Sequence, residues 1–256
     1  MNKLRVLSKV ARRAVIALLV ALAPAAHAMG GQDCAPEDLA PIDAWLVKHP
    51  LRAGAARPAT AMATACRTSP VDPSLLLVVA AYDRAASGEK ALVVAIIDTR
   101  TTAVRSAFQG TVDGDAALSL AQGSLALDTA RYDLAPGVRA FGVDQASSMR
   151  EGGLARYRTL FVQDGPALRP VLDAFLIYAE GGAADGADQA DPTTAWKIAI
   201  APHATHGYAD LVITPVIDGP PGAKPSHGPR STLAYDGQRY VTAPGPFSIH
   251  AEAPAR

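Results

Sequence analysis

Short apolar runs separated by turn signals dominate the chain from residue 74 onward, and they read as strands. Residues 75–82 (LLLVVAAY) lie between Pro73 and the charged, glycine-containing DRAASGEK, and 91–97 (ALVVAII) repeat the theme. Runs of this length suit strands covered on both faces, and their β-branched content separates them from a buried helix. Asp98-Thr-Arg-Thr turns the chain into 102–108, where Ala103, Arg105 and Ala107 alternate with Val104, Ser106 and Phe108. Strands are also expected over 118–127 and 138–143, flanking a segment 128–137 that closes on the turn pair Pro136-Gly137. Residues 157–163 and 169–178 read as a hairpin around Asp164-Gly165-Pro166, with Phe161, Leu172, Phe175 and Ile177 as core.

The C-terminal third follows the same grammar. Residues 196–200 and 208–217 are expected to pair around the loop APHATHG, and 218–230, rich in Pro and Gly, form an excursion. Asp236-Gly237 is a two-residue type I′ hairpin signal that joins 231–235 to 239–242. Helical spacing is found once, in PEDLAPIDAWLVKHP, where Leu39, Ile42, Trp45 and Leu46 share a face, acids come early and Pro50 ends the run. The fold class is therefore mostly β: an antiparallel sandwich, barrel or partial propeller-like sheet with one short N-terminal helix. No repeat of fixed length is legible, which argues against a complete propeller.

Composition sharpens this picture. Hydrophobic residues make up 49% of the chain, but many are alanine and aromatics are only 5%, so large apolar side chains are concentrated in a few segments. Lys3, Arg5, Lys9, Arg12 and Arg13, the apolar run 14–22 and Ala26-His27-Ala28 have the form of a secretory signal peptide over 1–28. The remainder divides into a helix with a stapled loop at 29–70, an antiparallel β domain at 71–243 and a tail at 244–256. Removing the leader takes five of the 24 basic residues and none of the 24 acidic ones, leaving a net charge of −5. That charge gives no basic field for nucleic acid, and no second segment is long enough to span a membrane. Periplasmic or secreted localisation follows. Cys34 and Cys66, an even pair in an exported chain, are expected to form a disulfide.

Candidate chemistry is sparse. His203-x-x-His206, followed by Asp210, is the nearest approach to a metal site, although Pro202 and Gly207 bracket the pair and a catalytic zinc motif puts its histidines on a helix. Asp185, Asp188 and Asp191 lack the alternate spacing and closing Glu of a calcium loop and read as solvated charge. G-x-S-x-G, G-x-G-x-x-G and phosphate-loop patterns are absent, and no cofactor is implied. Asp133, Asp164 and Asp236 stand by Pro or Gly at turns, where a side chain caps its own backbone.

Thr205, Gly207, Asp210-Leu211, then Tyr235-Asp236-Gly237 and Tyr240 form the pattern T-x-G-x-x-D-L … Y-D-G-x-x-Y. It resembles a pattern in secreted β-rich proteobacterial proteins of no assigned activity, and distantly single FG-GAP or VCBS-like units. LDTARYDLAPGVRAFGV has the same look. The resemblance implies β structure and an envelope location; the D-x-D-G-D-G calcium loop of true FG-GAP repeats is missing, so calcium binding does not carry over. The expected function is an exported, non-enzymatic β protein that binds an envelope protein or glycan, in the manner of an inhibitor or immunity protein. The alternative is a metal-assisted hydrolase of envelope polysaccharide or peptide, using His203, His206 and Asp210.

Overall fold

Continuous apolar strands need cover on both faces, and the computed structural model shows where that cover comes from. It describes residues 33–51, 60–83, 90–114, 120–148, 153–180, 192–219, 222–242 and 247–251; the leader at 1–28 and the acidic loop of Asp185, Asp188 and Asp191 lie outside them. The helix α1 (Pro36–Lys48) precedes a first group of strands, β1 (Ala61–Thr68), β2 (Leu75–Asp83), β3 (Lys90–Asp98) and β4 (Ala103–Gly114). A second group follows, β5 (Leu125–Ala135), β6 (Val138–Ser148), β7 (Leu154–Asp164) and β8 (Ala167–Ala179). Then come β9 (Thr194–Thr205), β10 (Tyr208–Ile217) and the short β11 (Ser226–His227), β12 (Ser231–Leu233) and β13 (Phe247–Ala251). The mostly β, mostly antiparallel body with one short N-terminal helix is the architecture expected from the sequence. Among the described residues no helix is long and apolar enough to cross a membrane.

Among the described residues thirteen strands join one open sheet whose main path runs β1-β2-β3-β4-β8-β7-β6-β5. It consists of two four-stranded meanders set last strand to last strand. The meanders correspond in length as well: β5, β6, β7 and β8 begin 64, 63, 64 and 64 residues after β1, β2, β3 and β4. The recurrence lies in strand spacing rather than in residue identity, which is why no repeat is legible in the sequence.

The sheet curls so that all eight strands contribute to one interior cluster, for example Ala65, Leu77, Leu92, Phe108, Leu125, Phe141, Phe161 and Leu168. Two seams join the meanders. At one, β4 and β8 pair in parallel at Ala107 and Ala167. There Ser106 Oγ donates to Gly165 O at 2.8 Å and accepts from Gln163 Nε2 at 2.8 Å. β13 pairs with the remaining edge of β4, from Gly110 to Gly114. At the other seam, β1 and β5 come together without a backbone ladder among the described residues, and Arg67 Nη1 donates to Leu127 O at 2.9 Å.

Outside the curl, each meander has its own cover. α1 lays Ile42 and Leu46 on the outward row of Val78, Ala80 and Tyr82 from β2 and Ala91, Val93 and Ala95 from β3. The hairpin of β9 and β10 lays Leu211 and Ile213 on Leu160 and Val162 of β7 and Val171 and Leu172 of β8. The disulfide between Cys34 and Cys66 ties the chain two residues before α1 to β1, as expected from the even pair.

Several boundaries differ from the sequence reading. Residues 61–68, expected as loop, are β1, because Ala63 and Ala65 are small enough to bury completely against the interior. Residues 128–135, expected as a connection, continue β5 through a register shift between Asp128 and Tyr132. Ser231–Leu233 pairs with β10, and only Tyr235 and Tyr240 bridge across the expected terminal hairpin. Phe247–Ala251, read as tail, is a strand on β4.

Replacing both cysteines with serine is expected to lower the unfolding free energy by about 3 kcal/mol, measured by urea denaturation. An unchanged midpoint would show that the bridge adds nothing to the anchoring of α1.

Candidate functional site

The histidine segment is strand and turn, not loop. β9 runs on to Thr205, and His206-Gly207 alone makes the turn, with φ of 49° and 89° as a type I′ hairpin requires. The ladder shifts register between Ala209 and Leu211, so Asp210 falls at a bulge, and Pro202 lies opposite where no ladder N–H is needed. The register set by Tyr208 opposite Thr205 and Ala209 opposite Ala204 places Asp210 across from His203. His203 Nε2 lies 3.0 Å from Asp210 Oδ2, with the imidazole 61% exposed and the carboxylate 5% exposed. Thr205 Oγ1 donates to the same oxygen at 3.0 Å.

His206 turns elsewhere. Its Nδ1 lies 3.0 Å from Tyr235 O, and since a carbonyl only accepts, that nitrogen carries the proton. The ring nitrogens facing Asp210 and Tyr235 act as hydrogen-bond donors, so neither of those two atoms offers a metal its lone pair. Among the described residues no group of three or more His, Cys, Asp or Glu gathers as a metal-ligand set.

The rest of the T-x-G-x-x-D-L … Y-D-G-x-x-Y pattern assembles around this corner as a clasp. Tyr208 stacks on Tyr235 at 4.5 Å between centroids, and Tyr240 leans on Tyr235 at 5.3 Å. Tyr240 donates its hydroxyl to Ala209 O at 2.6 Å and its backbone N–H to Val171 O at 2.7 Å. Burial pushes the Tyr240 phenol well above its ordinary pKa, so it remains a neutral donor. Arg169 of β8 donates to Tyr235 Oη at 3.0 Å and Gln238 O at 2.6 Å. Asp236 Oδ1 accepts from the backbone N–H of Gln238 and Arg239 at 2.7 Å each, holding its carboxyl below the ordinary range. These residues pin the hairpin and the 235–240 loop to β8. Their role is architectural.

A second polar cluster lies on the outward face of the second meander. Arg158 sends Nε and Nη2 to the two oxygens of Asp144 at 2.6 Å each and Nη1 to Tyr132 Oη at 2.6 Å, and it also pairs with Asp128. Tyr132 Oη donates to Asp128 Oδ2 at 2.7 Å. Gly142 makes room for it: a Cβ there would stand 3.1 Å from Arg158 Cδ and Nε and 3.2 Å from Asp128 Cβ. Burial raises the Asp144 carboxyl above its ordinary range, against the pull of Arg158. Burial also works against the Arg158 cation, but hydrogen bonds and charge from Asp144 outweigh it and raise its pKa. The four groups satisfy one another.

A cleft lies at the end of the curl where the β1–β2, β3–β4, β5–β6 and β7–β8 turns gather. Its volume is about 210 Å³. Leu75, Leu77, Ile96 and Phe141 supply apolar wall, and Ser69, Asp72, Arg139 and Gln163 supply polar groups. One lip is the β1–β2 turn, carrying Val71 at 66% exposure; the other is the β5–β6 turn, ending in Val138 and Arg139. Asp72 accepts from Ser74 N at 2.9 Å and Ser74 Oγ at 2.7 Å. Those bonds, with the charges of Arg100 and Arg105 adding, hold its carboxyl below the ordinary range. Arg139 donates Nη2 to Thr129 O at 3.2 Å. The cleft draws on both meanders, so no local motif announces it. One signal was present: alternation along 138–143 places Arg139 on the face of Phe141 and Val143, a charge on an otherwise apolar row.

Two outcomes are expected. Arg158→Met strands the buried Asp144 and the half-buried Asp128 without their counter-charge and should cost roughly 3–5 kcal/mol in chemical denaturation, whereas a loss under about 1 kcal/mol would show the cluster to be dispensable. Asp236 has a depressed carboxyl, so its contribution is present above the ordinary 3.8 and is lost as pH falls through its lower folded value. Amide exchange at Gln238 and Arg239 should accelerate in that acid window, and Asp236→Asn should flatten the dependence.

No protein-family model, curated protein or solved structure matches the chain.

Proposed function

We propose that this is an exported, non-enzymatic binding protein whose partner, a protein or glycan of the cell envelope, seats in the cleft between the two meanders. The observation that carries the reading is the composition of that cleft. An apolar wall of Leu75, Leu77, Ile96 and Phe141 opens beside a few polar groups, the usual make-up of a recognition pocket. Val71, an apolar side chain 66% exposed on the lip, extends the wall outward. The signal-peptide pattern at 1–28 and the Cys34–Cys66 bridge support an oxidising compartment, the periplasm or the exterior. A small net negative charge after leader removal favours a soluble binder over a nucleic-acid protein.

Val71 and Val47 provide a matched test, because they are 66% and 71% exposed while only Val71 borders the cleft. A photo-reactive residue at position 71 should crosslink a discrete partner from an envelope extract, and one at position 47 should not. Equal labelling from both positions would remove the cleft as the binding site.

A further inference from the structure

We infer that the cleft receives the C-terminal end of a polypeptide, its α-carboxylate held by Arg139 and its last, apolar side chain seated against Leu77, Ile96 and Phe141. This rests on the cleft being the binding site proposed above. Arg139 stands two residues past Gly137 on the inward row of β6, half-buried at the mouth of the apolar interior. Its guanidinium donates to Thr129 O, and among the described residues no carboxylate pairs with it. A guanidinium has five N–H donors in a rigid fork, so four remain, and a half-desolvated cation gains most from a bidentate carboxylate. Asp133, across from Arg139 in the β5–β6 ladder, is taken by Arg131, and the acid on the lining, Asp72, is on the opposite lip with one oxygen engaged by Ser74.

The other lining groups discriminate among carboxylates. Ser69, Asp72 and Gln163 offer hydrogen-bonding side chains that peptide amides can satisfy. A fatty acid would cover the same groups with hydrocarbon and leave them unpaired, which is costly. An internal peptide segment brings amides but no carboxylate for Arg139. A neutral sugar brings hydroxyls but no carboxylate for Arg139. A chain terminus supplies carboxylate, amide donors and one apolar side chain together, and capture of such ends is a recurring recognition mode.

The test is titration calorimetry of the leaderless protein with three probes: acetyl-Gly-Gly-Ala-Leu as the free acid, the same peptide as its C-terminal amide, and octanoate. The free acid should bind, with the amide and octanoate each at least about tenfold weaker, as expected for loss of a charge-assisted pair or of the amide bonds. Arg139→Gln should abolish the difference between acid and amide, and Arg139→Lys should restore part of it. Amide binding equal to the acid, octanoate binding tighter than the peptide, or no binding by any probe would overturn the inference. If the probes fail while crosslinking at position 71 persists, the terminus assignment falls and the cleft reading stands. If crosslinking at position 71 also fails, both fall.

Discussion

Neither four-stranded meander can hide its inner face alone, and the rest of the structure follows from that constraint. The strands β2 and β3 are apolar on both sides, so each needs one cover inside and another outside. The inner cover is the opposite meander, which brings Leu77, Phe108, Phe141 and Phe161 into one cluster. The outer cover differs between the halves: α1 over the first and the β9–β10 hairpin over the second. Apolar burial at roughly 25 cal/mol per Å² rewards this arrangement without fixing it geometrically. The fixing is left to a few directional contacts, the Cys34–Cys66 bridge on one side and the tyrosine clasp on the other.

Seen this way, the polar residues divide by location. The Arg158 cluster and the Tyr208–Tyr235–Tyr240 clasp lie on or under the outer cover, and their hydrogen bonds are spent on one another. Arg139, Asp72 and Gln163 lie at the end of the curl, where the interior reaches solvent. Polar side chains at such a mouth border an apolar wall on one side and water on the other, the setting in which a partner's charge and apolar surface can both be matched. His203 with Asp210 falls between these classes, an exposed imidazole steadied by a buried carboxylate at a bulge.

What could be read from the sequence followed from periodicity. Residues 75–82 and 91–97 announced strands buried on both faces, Leu39, Ile42 and Leu46 announced the helix face, and Pro136-Gly137 announced a tight turn. Elements held by pairing rather than by apolar content were not visible. β1 is largely alanine, threonine and cysteine, and β13 pairs with β4 across more than 130 residues of intervening chain. The histidine pair drew attention by proximity in sequence, yet the two-residue turn at His206-Gly207 sets a register that puts His203 across from Asp210 and leaves His206 to Tyr235 O. The cleft was invisible for a different reason. Ser69, Ile96, Arg139 and Gln163 belong to different segments, and only the closing of two seams makes them neighbours.

Those seams give the molecule unequal stiffness in different directions. Within each meander, full antiparallel ladders resist shear strand by strand. Between meanders, the main bonds are one parallel bridge at Ala107 and Ala167, the Ser106 contacts and Arg67 to Leu127 O, with β13 along the upper edge of β4. The shared apolar interior resists separation of the halves but, being non-directional, resists sliding much less. The soft coordinate of this fold is therefore a small rocking of one half against the other. The gap between Val71 and Arg139 is the distance that such rocking changes, so an object bound there would brace the two halves as a strut braces a frame.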